Sequence, residues 1–309
     1  MLHKFSLIDG RIARDSAGTI PVDIYVLPDE TERRHLIDDH GIDEHTLNSS
    51  VDPDETPRIE FEDDHAAIIL KYPKNYSADD NFLFRVKSMG LFLFADHVIV
   101  VVDDNIQFFA TAKASARIQS AQDVVLRILH QTIRHFESHL RVINMCSDEI
   151  ETEINESSDN SSLLNMFTLE KGLVYYVNAL SGNRRVIERL RANAAKFGFT
   201  EENVELLDDL AIENRQFLDQ AQVYSQVLSG LMDARAAFIN NNLNVVIKNM
   251  NAVVIAAAIP TFFTGVFGMS ELSMIVGKNN WYIAFPCFVL LMAMIGMFAY
   301  WLIRKCTRP

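Results

Sequence analysis

Cysteine is scarce in this chain: Cys146, Cys287 and Cys306 are its only thiols in 309 residues. They form neither a CxxC pair nor a Cys/His pattern, which excludes a disulfide framework or a structural zinc site as the organising device. A glycine-rich phosphate loop is missing too, since neither GxxxxGK[ST] nor GxGxxG occurs, and ATP-driven work has no support. The Gly-x-Ser-x-Gly turn of a serine hydrolase is absent, and no enzyme is expected. The opening residues, "MLHKFSLIDG", lack the apolar centre of a signal peptide, so the part that follows is expected to stay in the cytoplasm.

Acidic side chains are missing from one end. The last 69 residues carry Glu271 as their single acid, against Lys248, Lys278, Arg304, Lys305 and Arg308. Subtracting these leaves 23 basic and 40 acidic side chains in residues 1 to 240, a net charge of −17. Such a surface repels phosphates, which argues against nucleic acid and favours cations.

The acid-poor end holds two long uncharged runs, residues 252 to 269 and 281 to 303, of 18 and 23 positions. Each matches the length of a helix crossing about 30 Å of hydrocarbon, which predicts two membrane spans in a lipid bilayer. Lys248 before the first run and Arg304, Lys305 and Arg308 after the second place both ends in the cytoplasm by the positive-inside rule. Only residues 270 to 280 then face outward. Trp281 and Tyr282 at one end of the second run, and Tyr300 and Trp301 at the other, suit the two interfaces.

Approaching the first run, "INNNLNVVIKNMN" is rich in amides, and Asn244, Ile247, Asn251, Val254, Ala258, Thr261 and Gly265 recur at helical spacing. This small or polar stripe reads either as a packing seam or as the lining of a water-filled path, because amides at membrane depth are costly away from water or a partner. Two helices cannot enclose a pore, so the second reading requires a ring of identical subunits.

The remainder divides into a mixed α/β domain over residues 1 to 114 and a long-helix region over 115 to 251, ahead of the membrane part at 252 to 309. The runs "FSLID", "PVDIYVL", "RIEFE", "AAIILKY", "FLFRVK" and "HVIVVVD" read as strands. Residues 28 to 41 read as a helix with an early proline and a terminal glycine. Long helices are expected over 115 to 155 and 163 to 195, and "SGNRRV" is either a break or part of the second. From Glu201 no proline occurs until Pro260, so one helix is expected to run from the cytosol into the membrane. Sixty residues of it reach about 90 Å.

In this order of parts the chain resembles the CorA family of divalent metal-ion transporters. The motifs are "SGLMD" (residues 229 to 233), Asn244 with Lys248, Pro260 with Thr261, and "GVFGM" (residues 265 to 269). The resemblance covers nearly the whole length, and within it the CmaX branch is a conjecture. It implies a CorA-like homopentameric funnel: first spans (about 245 to 269) line the pore, second spans (281 to 303) form an outer ring, and 270 to 280 is the outer loop. Carried across position by position, the lining is Asn244, Ile247, Met250, Ala258 and Thr261, and the mouth is Gly268, Met269 and Ser270. The family has asparagine where Ser270 stands. Serine keeps a hydroxyl but loses reach, so selectivity for hydrated Mg²⁺ is expected to relax. Glu271, the loop's single acid, is offset by Lys278, and external capture of cations is expected to be weak. The resemblance also places a cytosolic metal-sensing carboxylate at Asp209, beside Asp208 and below Asp233.

Two weaker candidates lie elsewhere. His135 and His139 stand four residues apart and can share a zinc ion, but no third ligand is evident, and Glu137 points to another face; two surface histidines are the plainer reading. His35, His40 and His45 among acids read as a solvated face. Three functions are carried forward: a passive channel for Mg²⁺, with Zn²⁺, Co²⁺ and Ni²⁺ as further candidates; a proton-coupled zinc importer of the ZntB type; and a non-conducting membrane-anchored sensor or scaffold. No cofactor is required beyond the divalent cations themselves, as cargo or regulators, and a bacterial inner membrane is the expected location.

Overall fold

Short β-branched and aromatic runs pair into a seven-stranded sheet in the computed structural model, which describes residues 1–8, 11–14, 20–77, 80–104, 118–156, 160–267 and 281–307. The strands are β1 (Leu2–Ile8), β2 (Arg11–Arg14), β3 (Pro21–Val26), β4 (Arg58–Phe61), β5 (His65–Pro73), β6 (Val86–Phe94) and β7 (Val98–Val102), in the order β2-β1-β3-β7-β6-β5-β4. All neighbours are antiparallel except β3 and β7, which run parallel with Val22 opposite Val98. A parallel pair needs a long crossover, and here the intervening chain supplies α1 (Glu30–Asp38), α2 (Glu44–Ser49) and three strands.

The period of two along each strand sorts side chains to two faces. Val22, Ile24, Ile68, Leu70, Leu91 and Val100 enter one core, packed against α3 (Ala121–Glu156) and α4 (Asn160–Ala192). Tyr25, Ala67, Phe92, Phe94, Ile99 and Val101 enter a smaller one, under Leu36 of α1 and Leu47 of α2. The sheet is therefore covered on both faces.

Local chemistry starts α1 two residues later than its proline suggests. Asp29 is the N-cap, its carboxylate accepting from the amides of Thr31 and Glu32, while Glu32 accepts from the Asp29 amide at 3.0 Å. This capping box satisfies amides left free at a helix start, and Pro28 precedes it. Gly41, at φ +66°, takes the left-handed turn after the helix.

The expected strand "FLFRVK" is displaced. Asn81 and Phe82 have φ of +47° and +63°, incompatible with a strand, and pairing begins at Val86 and continues to Phe94. The aromatic signal was misleading because Phe84 is a core side chain, stacked on Tyr76 with ring centres 4.2 Å apart. Gly90 interrupts the apolar run of β6 for a packing reason: a Cβ there would lie 2.1 Å from Ser50 Oγ at the end of α2.

"SGNRRV" is no break, since α4 continues through it. Gly182 lets the helix approach Pro57, whose Cγ would stand 2.5 Å from an added Cβ. Next to it, buried Asn183 accepts from the Lys71 amide at 2.9 Å and donates to the Lys71 carbonyl at 2.7 Å. A 3₁₀ turn (Ala194–Phe197) leads to α5 (Glu201–Phe267), a single helix of 67 residues. Its first half buries Leu207, Leu210, Phe217, Ala221 and Leu228. The last helix is α6 (Trp281–Thr307). The chain forms two compact units, Met1–Met232 and Asp233–Pro309, with α5 contributing to both.

Candidate ion-conduction site

In the second unit, α5 and α6 are each long and apolar enough to cross a membrane, with mean hydropathy of 1.6 and 2.2 in their most apolar windows. They meet along a seam of small residues. Ala252 and Ala256 of α5 and Met292 of α6 are buried. Gly296 lies so close that an added Cβ would be 3.3 Å from Pro260 Cγ and 3.4 Å from the Ala256 carbonyl oxygen. An apolar groove of about 440 Å³ runs beside this contact, lined by residues that include Val253, Ala257 and Tyr300. Close approach through small side chains is how helices pack where no hydrophobic gradient drives them together.

The seam is not the stripe singled out in the sequence. At about 100° per residue, Ala252, Ala256 and Pro260 point roughly opposite to Ala258, Asn251, Thr261 and Gly265. Correspondingly, Asn244, Ile247, Asn251, Val254, Ala258, Thr261 and Gly265 are all exposed. Met250, also exposed, sits at the edge of that face, about a quarter turn from Ala258. The amides and the hydroxyl thus lie uncovered by α6.

Pro260 has no N–H to give the Ala256 carbonyl. One residue on, the Thr261 hydroxyl donates to the Ala257 carbonyl at 2.8 Å, and Thr264 donates to the Thr261 carbonyl at 2.9 Å. With its hydrogen committed to the backbone, the Thr261 oxygen faces outward as an acceptor. At the far end of α6, Lys305 Nζ stands 5.2 Å from the centre of the Trp301 ring, a cation–π contact suited to an interface. Gly268, Met269, Ser270 and Glu271 lie outside the described residues.

The candidate metal-sensing carboxylates belong to the first unit, apart from Asp233, which is exposed in the second. Asp209 is exposed. Its neighbour Asp208 is engaged, accepting from Arg191 Nη2 at 3.0 Å and paired with Arg191 Nε.

The reading of His135 and His139 as surface residues is overturned. His139 is buried between α3 and α4, its Nδ1 hydrogen-bonded to the Tyr176 hydroxyl at 2.7 Å, with the Phe84 ring edge-on. His135 packs against it, ring centres 4.5 Å apart. Burial lowers the pKa of both, that of His139 to about 4, with His135 adding to the effect. Glu137 is turned away into ion pairs with Arg134 and Arg141. Among the described residues, no group of three or more His, Cys, Asp or Glu side chains could hold a metal ion.

An apolar helix with an uncovered polar face, paired with a second apolar helix in a chain that also carries an acidic α/β domain, is a combination met in known proteins. Residues 24–305 match the family described as "CorA-like Mg2+ transporter protein". The chain belongs to that family. It is therefore a member of a divalent-cation transporter family with two C-terminal apolar helices. The cobalt/magnesium transport protein CorA of Methanocaldococcus jannaschii is 25% identical over 277 residues, covering 85% of this chain and 86% of that protein. The complete structure of the CorA magnesium transporter from that organism superimposes with a TM-score of 0.83 at 21% identity, covering 99% of this chain and 98% of that one. The full-length CmaX structure gives 0.72 at 15% identity, covering 98% and 96%. The ZntB cytoplasmic domain of Vibrio parahaemolyticus gives 0.60 at 12%, covering 77% of this chain and 98% of that one. At these identities the structural likenesses concern the fold.

Sequence reasoning missed the partner face of this CorA-family helix. The signal was present, since Ala252, Ala256 and Pro260 repeat every four residues and Gly296 is a lone glycine in α6. Small residues at that spacing mark a helix contact.

Proposed function

We propose that this CorA-family protein is a passive divalent-cation channel whose pore is lined by α5 from each member of a homopentamer. The observation that carries the reading is the exposed face bearing Asn244, Asn251 and Thr261, set away from the α6 seam on a helix apolar enough to span a bilayer. Amides and hydroxyls in such a segment are costly against lipid, and facing a water-filled axis removes the cost. Oxygen acceptors at Asn244 and Thr261 suit a cation that keeps its water shell, and Ile247 with Met250 forms an apolar constriction that gates by dewetting. Ala258 leaves room between them and Thr261.

In this reading the chain up to about residue 244 and both termini are cytoplasmic, the spans run over about 245 to 269 and 281 to 303, and the membrane is a bacterial inner membrane. For a doubly charged ion, about 4.6 kcal/mol per 100 mV is available from the membrane potential, so inward flow needs no motor. Gly268, Met269 and Ser270 form the mouth, with Glu271 just outside. A ring of short serine hydroxyls holds hydrated Mg²⁺ less selectively than a ring of amides, which admits Zn²⁺, Co²⁺ and Ni²⁺ as cargo. Asp209, exposed and next to the Arg191-bound Asp208, is the better placed of the two to sense cytosolic metal.

The test is uptake of Mg²⁺, Zn²⁺, Co²⁺ and Ni²⁺ into dye-loaded proteoliposomes, with Ser270→Asn beside the native protein. Broad flux that narrows toward Mg²⁺ in the variant supports the proposal. Flux that rises severalfold under an inward proton gradient replaces it with proton-coupled zinc import. Intact pentamers that pass no ion in either form reduce the protein to a membrane-anchored sensor or scaffold.

A further inference from the structure

The groove beside the α5–α6 seam joins an apolar wall to a cationic end. Helix α5 supplies Val253, Ala257 and Pro260 to it, and α6 supplies Ala293, Met297 and Tyr300. Val253 and Met297 remain exposed, so the contact between the two helices leaves the groove unfilled. Along α6 the wall residues recur at three or four positions, and Arg304 stands four residues beyond Tyr300, on the same flank one turn further on. Lys305 follows about a quarter turn round the helix, its Nζ 5.2 Å from the centre of the Trp301 ring. Both cations are exposed. At 1.5 Å per residue the wall from Ala293 to Tyr300 covers about 10 Å, which fits within one leaflet's share, about 15 Å, of the hydrocarbon core.

We propose that this groove binds an anionic phospholipid of the inner leaflet, with one acyl chain along the wall from Tyr300 toward Pro260 and the phosphate at Arg304 and Lys305. The proposal rests on α5 and α6 spanning the membrane and does not depend on ion conduction. Charge chooses the occupant. From residue 234 to the end of the chain the single acidic side chain is Glu271, between the two spans. As successive spans the helices run in opposite directions, and they touch at Ala256 and Gly296. Lys248, eight residues before Ala256, and Arg304, eight after Gly296, therefore lie at about the same level. A second copy docked on this flank would bring more cations to that level and no carboxylate, and gathered like charges are costly. An anionic headgroup removes the cost. Its phosphate suits the planar fork of a guanidinium, and basic clefts between membrane helices at the cytoplasmic side recognise anionic headgroups in this way. Tyr300 and Trp301 mark the headgroup level from the same helix.

The experiment is native mass spectrometry of the full-length protein in detergent, with phosphatidylglycerol or phosphatidylcholine of identical acyl chains added. The expected result is phosphatidylglycerol held at least fivefold more tightly than phosphatidylcholine. Arg304→Gln should weaken phosphatidylglycerol about fivefold and leave phosphatidylcholine unchanged, whereas Ala293→Phe, which fills the groove, should weaken both. Equal binding of the two lipids overturns the proposal, as does phosphatidylglycerol binding that ignores either variant. Size-exclusion chromatography reports whether each variant assembles, and Ala257→Leu replaces an Ala293→Phe that does not. A photoreactive p-benzoylphenylalanine in place of Met297, irradiated in phosphatidylglycerol vesicles, should form a lipid adduct. An adduct between two protomers instead gives the groove to a second copy and overturns the proposal.

Discussion

Acid should loosen the α3–α4 pair through His139, and the size of the effect follows from its surroundings. The side chain is buried beside Phe84, bonded through Nδ1 to Tyr176, and 4.5 Å from His135 between ring centres. Burial, aided by His135, lowers its pKa to about 4. An unfolded chain returns it to about 6.5. Between those values the unfolded state holds the extra proton, so stability rises with pH across the window. The contribution is complete above about 6.5 and is lost as pH falls toward 4. Roughly 2.5 pH units correspond to about 3 kcal/mol, a large share of a typical domain's stability. The assay is urea unfolding of the full chain in detergent, followed by helical circular dichroism from pH 4 to 7.5, for native protein and His139→Gln. The native free energy of unfolding should climb about 1.4 kcal/mol per pH unit more steeply than the variant's within the window. Histidines away from this pair titrate alike in both proteins and cancel. Equal slopes would refute the reasoning.

Asn183→Ala should destabilise the first unit by about 2 to 3 kcal/mol, because the buried Lys71 N–H and C=O both lose their side-chain partner; the same urea titration measures it. Gly296→Val places methyl groups against Pro260 and the Ala256 carbonyl, and should cost about 1 to 3 kcal/mol of helix-pair stability by overpacking, read from thermal unfolding in detergent. Thr261→Val keeps the shape of the side chain and removes its acceptor oxygen. Uptake into proteoliposomes should fall about tenfold, equivalent to about 1.4 kcal/mol at the barrier, and undiminished flux would remove Thr261 from the pore.

What could be read from the sequence was set by how locally each feature is determined. The run of β5 and the long apolar stretches of α5 and α6 declare themselves, since strand pattern and span length are properties of consecutive residues. The position of β6 was hidden by Gly90 and by aromatic Phe82 and Phe84, whose roles depend on Ser50 and Tyr76. Gly182 left open whether the helix breaks there, because its reason is Pro57, far back in the chain. The polar stripe of α5 was legible as a face, but which side α6 covers was not, because that choice rests on contacts between two helices. His97 illustrates the same limit: nothing local links it to His40, and only the sheet order brings them together.

The two hydrogen bonds from Asn183 to Lys71 have a meaning beyond stability. Strand β4 pairs with β5 only as far as Arg58 opposite Ile69, so past that point the flank of β5 would present an open amide and carbonyl. Exposed flanks of this kind recruit strands from other molecules. One side-chain amide takes the place of a whole neighbouring strand and closes the position. In a protein proposed to work as five identical copies side by side, that closure helps confine self-association to the helices that conduct, and denies it to a sheet that would otherwise polymerise.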